Sequence, residues 1–365
     1  RYSSMRTLTE HSNWWDLEET TDVCVTPVKN HGLWYDGGIY IRLHQHSWME
    51  EDAHLNNIWN ALYSGVSSAN RVLYQFENST IEMNGKENYI AELKVARAFY
   101  YYLLLEAFGN VPIIDRFDVP DGYLPATEPR SKVFEFVESE LKNNINNLSE
   151  DVLNTYGRFN KWNAKMLLAR LYLNAEAWIG TPMYNECENL CNEIIATNKY
   201  RLDGDYSLPF STNNELSNET MFVIPFDETK SGGQIYMWAR KTLHYSQMQT
   251  FNLQATWLDG GCVGVPTFFD NYIEGDKRLE KTWRMGQQYA LDGTPLWTNG
   301  WCGDPQMLLS YTKDVTNISG DATMYQGYRF GKYEIKIGAT GTPDNDYVIM
   351  RLSLIHISEP TRPIS

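Results

Sequence analysis

From Asn57 onward, apolar residues recur at helical spacing. Trp59, Leu62, Val66, Ala69 and Leu73 fall on one face of a helix. Leu93, Ala96, Tyr100, Leu103 and Ala107 repeat the pattern from roughly Glu87 to Phe108. Gly109 and then Pro112 close that segment, because glycine ends helices readily and proline cannot continue them. A loop rich in Pro and Asp follows, up to Pro129. Ser131 is placed to cap a third helix, striped by Val133, Val137, Leu141, Ile145 and Leu148. Asn160 is placed to cap a fourth, whose buried side is Ala164, Leu167, Leu168, Leu171, Ala175 and Trp178. Past Pro182, Cys187, Leu190, Cys191 and Ile194 form a fifth stripe.

The last two helices make a helix-turn-helix of about 34 residues, the size of a tetratricopeptide unit. Such units bury their faces only against stacked neighbours, and the earlier helices are those neighbours. The expected fold is therefore mainly α, with tetratricopeptide-like helical repeats over 57–200. Residues 1–56 and 201–351 lack that period and read as irregular, aromatic-rich loops with short strands, such as Met221 to Phe226. Together 1–351 is expected to be one domain. The final stretch, 352–365, resembles a translated sequencing adapter and is expected to be non-native.

Composition narrows the function classes. The 365 residues include 12 Trp, 24 Tyr and 14 Phe, a surplus that suits cores and wet aromatic surfaces alike. A net charge of −15 excludes a phosphate-tracking nucleic-acid binder. No apolar run reaches the roughly 18 residues a membrane-spanning helix needs. The five cysteines leave the redox compartment open; Cys187 and Cys191 share a helical stripe, and Cys262 and Cys302 are candidates for a disulfide. His44 and His46 read as same-side residues of a strand, a spacing that can hold zinc. No matching third ligand accompanies them, so no metal is expected there. The loop carboxylates Asp344 and Asp346 are the candidates for a structural calcium ion, and no other cofactor is expected.

Candidate binding residues follow from the chemistry of sugars. A pyranose lays its C–H face on an aromatic ring, while its hydroxyls seek amide, carboxylate or backbone partners. Trp34, Tyr35 and Asp36 precede the double glycine Gly37–Gly38, with Lys29, Asn30 and His31 close by. Trp297 and Trp301 flank a surface turn that contains Asn299. Trp48, after the His-x-His alternation, reads as a core or strand residue, and Trp59, Trp162 and Trp178 sit on helical stripes.

Several long motifs, in order, carry a resemblance. They are Trp34-Tyr35-Asp36-Gly37-Gly38, Asn57 to Tyr63, ARAFYYYLLLEAFGNVPII from Ala96 to Ile114, and YGRFNKWNAKMLLARLYLNAEAW from Tyr156 to Trp178. Tyr200-Arg201-Leu202, Asn218-Glu219 before Met221 to Pro225, Asp276-Lys277-Arg278 and Gly327-Tyr328-Arg329 continue the series. In these the chain resembles the SusD/RagB family of nutrient-binding outer-membrane lipoproteins. The resemblance implies surface capture of oligosaccharides and delivery to a SusC-like TonB-dependent transporter, without catalytic residues. It also implies a lipid-bearing cysteine ahead of Arg1 as the membrane attachment. Two other readings stay open: a helical-repeat scaffold for a peptide or protein, and a glycoside hydrolase, which needs two carboxylates about 5–10 Å apart. Neither a Gly-x-Ser-x-Gly nor a phosphate-cradling glycine loop is present.

Overall fold

The computed structural model describes residues 3–9, 14–230, 237–254, 258–340 and 344–358. Helices run over Ile39–His44 (α1), Ala53–Glu77 (α2), Lys86–Phe108 (α3), Arg130–Asn144 (α4), Lys161–Leu173 (α5), Ala175–Ile179 (α6) and Tyr184–Ala196 (α7). α2, α3 and α4 pack in succession, and α5 packs on α7. This is the expected mainly α fold. Among the described residues no helix is long and apolar enough to cross a membrane.

α3 lies at the centre, and its burial exceeds a single stripe. From Ala91 to Leu105 every residue except Lys94 is buried, including Tyr101 and Tyr102. A helix apolar on all sides is a core helix. α2 presents Ile58, Leu62, Val66, Ala69 and Leu73 to it, and Gly65 permits close approach. A Cβ on Gly65 would stand 2.3 Å from the Tyr100 ring. Trp59, assigned to that face, is half-buried at its edge and packs on Phe108 with ring centroids 5.1 Å apart.

Several polar groups buried among these helices are paired, as burial favours. Arg97 donates to Asn70 Oδ1 at 2.8 Å and to Glu140 Oε2 at 2.9 and 2.7 Å, tying α2, α3 and α4 together. Asn160 caps α5 as expected. Its Oδ1 accepts from the backbone N–H of Trp162 and Asn163, and Asn163 Oδ1 accepts from Asn160 N at 2.8 Å, a reciprocal box. Ser131 does not cap α4. Pro129 stands at the cap position, and the Arg130 N–H is answered from a distance by Asn110 Oδ1 at 2.8 Å. The fourth stripe is not one helix either: Asn174 separates α5 from α6, its amide donating back to Arg170 O at 2.9 Å. Trp178 is therefore only half-buried.

After Tyr200 the strands are mostly two residues long and come in pairs. The longest pair joins Thr220–Ile224 to Tyr347–Arg351, antiparallel. Side-chain amides hold the loops between them. Asn214 donates to Pro209 O and Asp346 O and accepts from Asp346 N, closing a two-way clamp. Asn345 donates to Glu334 O at 2.9 Å. Asp276 caps a short helix, Lys277–Thr282, accepting from Arg278 N and from the Arg278 guanidinium. The main core cluster includes Met5 and Leu8, the helices, and Tyr333, Met350, Leu352 and Ile355.

Four expectations are corrected. His44 and His46 are not on a strand: Gly37 and Gly38, both at positive φ, turn the chain into α1, which buries Ile39, Tyr40 and Leu43 at helical spacing. His46 instead contacts Thr20 O at 2.6 Å, and Trp48 is 47% exposed rather than packed in the core. All five cysteines are free thiols; Cys262 neighbours Cys24 across the strand pair Cys24–Val25 and Val263–Gly264, not Cys302. The carboxylates of Asp344 and Asp346 do not converge on a cation. Asp344 accepts from Lys336 Nζ at 2.8 Å and Glu228 N at 3.0 Å; Asp346 accepts from Phe226 N at 2.8 Å and from the Tyr156 hydroxyl. Among the described residues no group of three or more His, Cys, Asp or Glu gathers as a metal site.

Candidate functional site

Two loops distant in sequence, 29–38 and 297–304, meet over Gly260 and Gly261. The strand Val28–Lys29 enters the first loop and pairs in parallel with Asp321–Ala322. Asn30 Nδ2 then donates across to Cys302 O at 2.8 Å and to Asp304 Oδ1 at 2.9 Å. The Trp34 indole covers Gly261, where an added Cβ would lie 2.4 Å from the ring, and Trp301 covers Gly260. Only residues without side chains admit rings this close to the backbone. Of the nine non-glycine residues at positive φ among the described residues, six lie in these two loops: Asn30, His31, Trp34, Asp36, Asn299 and Cys302. Such conformations persist only where surrounding contacts dictate them, and they concentrate at functional sites.

Beneath the glycines is a buried polar hub. Gly260 O accepts from Lys29 Nζ at 2.7 Å and from Arg329 Nη1 at 3.2 Å. Arg329 also donates to Cys262 O and Met324 O. Burial holds the Lys29 ammonium well below its ordinary pKa, with the Arg329 charge adding to the effect. Asp304 Oδ1 accepts from Asn30 and from Met324 N at 3.1 Å, while Oδ2 lies 3.6 Å from His244 Nε2. His244 Nδ1 accepts from Ser246 N at 3.1 Å, so the neutral ring carries its proton on Nε2, facing Asp304. Burial keeps that imidazole below its ordinary pKa despite the carboxylate.

Above the hub the side chains are aromatic, with Tyr245 and Trp297 exposed and Trp301 half-buried. Tyr245 stacks on Trp301, centroids 5.6 Å apart and planes 25° from parallel, and His244 meets Trp301 edge-on at 4.9 Å. Ser246 Oγ donates to Trp297 O at 2.7 Å, joining the stacked pair to Trp297, which is 48% exposed. Trp297 bridges Leu308 in a small antiparallel meander. Alternation turns Gln288, Leu296 and Leu309 inward and leaves Tyr289, Trp297 and Leu308 on the outer face.

The residues singled out from sequence divide as follows. Trp297, Asn299 and Trp301 lie together, with Asn299 exposed at the turn. Trp34 faces inward, its Nε1 donating to Asp259 O at 3.1 Å, and its edge meets Tyr40. It acts as a bracket beneath Tyr35, which is 56% exposed, and Asp36, also exposed. Arg42 steadies this turn, donating to Gly37 O at 2.6 Å while its guanidinium grips Asp52. Tyr245 and His244 were not anticipated, and nothing in their sequence context marks them. Gly260–Gly261 was the available signal, a double glycine in a Trp-rich stretch.

Among the described residues, clefts of about 500, 530 and 640 Å3 lie elsewhere, and none of these is lined by Tyr245, Trp297 or Trp301. The first two share Glu18, Arg170 and residues 347–349. There burial raises the carboxyls of Glu18 and Glu106 and pushes the Lys332 ammonium down to about 8. These groups set opposite charges along the walls of the two clefts, recessed yet open to solvent.

Comparison with known proteins adds the following. A family model described as starch-binding, associating with the outer membrane (SusD-like) matches residues 3–173. The starch-binding protein SusD of Bacteroides thetaiotaomicron is 25% identical over 227 residues, 60% of this chain and 39% of that protein. The chain spans 24% to 39% of the length of the curated relatives it matches. A SusD superfamily protein of Parabacteroides distasonis superposes with a TM-score of 0.75 at 18% identity, over 98% of this chain and 72% of the other. A laminarin-binding SusD-like protein superposes with a TM-score of 0.72 at 18% identity, over 98% of this chain and 77% of the other. At that identity the superpositions establish the fold.

Proposed function

We propose that this chain is a SusD-like protein that captures a glycan on the Tyr245–Trp301–Trp297 surface and performs no chemistry on it. The observation that carries this reading is the open stacked pair Tyr245–Trp301 beside Trp297, fixed from below by the Gly260 hub. Ring faces of that kind receive the C–H faces of sugars. Asn299, on the same turn, and Tyr35 and Asp36, on the facing loop, supply hydrogen-bonding groups for hydroxyls. A rigid, pre-set platform reduces the entropy lost on binding. Individual contacts are weak, so a dissociation constant on the order of micromolar to millimolar is expected.

The same reading places the protein at the outer cell surface, held by a lipid anchor, where it hands its oligosaccharide to a SusC-like TonB-dependent transporter. Because relatives include starch- and laminarin-binding proteins, soluble α- and β-glucans are the first ligands to try. Calorimetry against a glycan panel tests capture. Binding that weakens about tenfold in Trp297→Ala, roughly 1.4 kcal/mol, supports it. Silence toward every glycan, or shortened products after incubation, overturns it. Co-purification with the transporter of the same gene neighbourhood tests the handover.

A further inference from the structure

The third cleft, about 640 Å3, opens on another part of the loop-rich half, between residues 202–206 and 268–282. Its volume falls within the usual range for small-ligand sites. Tyr206, Phe268 and Tyr272 supply its aromatic walls, and Asp203, Asn271 and Arg278 its polar groups. The walls are braced. Tyr272 OH accepts from Trp283 Nε1 at 3.1 Å, Phe268 meets Tyr272 edge-on at 5.7 Å, and Tyr206 packs on Phe210. The polar groups are held as well. Asp203 accepts from Ser217 Oγ at 2.5 Å and Asn218 N at 3.1 Å, and Asn271 Nδ2 donates to Phe268 O at 3.1 Å, which leaves Oδ1 to accept.

Charge selects the ligand class. Arg278 is joined to Asp276 through Nε and Nη2, and Arg351, also on the cleft wall, is joined to Glu219 at 3.0 Å. Each cation is already balanced by a carboxylate, and the chain as a whole carries −15, so the cleft has no surplus positive charge for a phosphate or a uronate. Ring faces interleaved with neutralised donors and acceptors suit a neutral, hydroxyl-rich ligand. We propose that this cleft is a second carbohydrate subsite, separate from the Trp297–Trp301 platform and selective for neutral oligosaccharides. The proposal rests on the reading of the protein as a glycan binder.

Tryptophan indoles separate the two sites. The Trp283 N–H, bonded to the cleft wall, reports the cleft, and the indoles of Trp297 and Trp301 report the platform. Their 1H–15N resonances, assigned through Trp→Phe variants, are followed during titration with neutral α- and β-glucan oligosaccharides and with an oligouronate. The expected result is a saturable shift at Trp283 with neutral sugars only. Tyr206→Ala should weaken that response about tenfold and leave the midpoint at Trp297 and Trp301 unchanged. Should Tyr206→Ala fail to fold, Asn271→Ala at the exposed rim serves the same purpose. A Trp283 resonance that stays still while the platform saturates, that responds equally in the variants, or that prefers the uronate overturns the proposal. Movement at Trp283 alone keeps the cleft and refutes the platform; silence at all three refutes both.

Discussion

The helical region, Ala53 to Ala196, and the loop-rich region beyond Tyr200 solve the same problem with different materials. In the first, backbone polar groups are satisfied within helices, and side chains are left to pack: Ile58, Leu62 and Val66 against Tyr100, and Val133 and Val137 in α4. In the second, short strands satisfy few backbone groups, so buried polar side chains complete the task. Asn214, Asn345, Lys29 and Arg329 each bond to main-chain carbonyls far away in sequence, Asn345 to that of Phe210. The contrast teaches that buried polar side chains, which in the helical region tie helix to helix at Arg97, hold the main chain itself where periodic structure is missing, and that the aromatic platform stands on that part.

The strongest way to break the contrast is to remove one of these side chains. Arg329→Met leaves the carbonyls of Cys262 and Met324 without this donor and Gly260 with Lys29 alone, and a loss of about 2–6 kcal/mol is expected. Near-ultraviolet circular dichroism should collapse before the far-ultraviolet helical signal; simultaneous loss would show that the two regions are not energetically distinct. The counterpart on the helical side is Gly65→Ala, which drives a methyl into the Tyr100 ring and should cost about 1–3 kcal/mol. Its melting temperature should fall while the glycan midpoint stays put.

Acid sharpens the comparison further. His244 is held neutral by burial, with its Nδ1 occupied as an acceptor, whereas the unfolded chain takes up a proton below about pH 6.5. The unfolded state then binds more protons, so this residue's contribution is lost as pH falls below that value. The urea midpoint of the wild type should fall relative to His244→Gln between pH 7 and pH 5, by at most about 1.4 kcal/mol per pH unit. An unchanging difference would place the proton elsewhere. The smallest effect on stability belongs to Trp297→Ala, expected within about 0.5 kcal/mol by chemical denaturation because the ring is largely open, even as glycan binding drops. A large loss would reassign Trp297 to the core.

The same division explains what could be read in advance. The stripes of α2 to α5 and α7 follow from helical spacing, and Asn160 announces its helix because a cap is a local device. The boundary of α4 was misplaced because the acceptor for its first N–H comes from Asn110, across a loop. The strand assigned to His44 and His46 failed because alternation over a few residues cannot be told from the start of a short helix until the burial of Ile39, Tyr40 and Leu43 is seen. Trp297, Asn299 and Trp301 were legible as a turn rich in ring faces. Tyr245 was not, since only the folded chain stacks it on Trp301.

The Gly260 carbonyl carries one more consequence, for the order in which the molecule assembles. Its two donors lie 231 and 69 residues away, so the hub forms only after long stretches of chain have been drawn into loops. Closing loops of that length is slow relative to local helix formation. The helical region should therefore condense early, and the platform should be among the last surfaces to appear. Sugar binding would then report completion of folding, and a chain arrested midway could be well helical yet blind to its ligand.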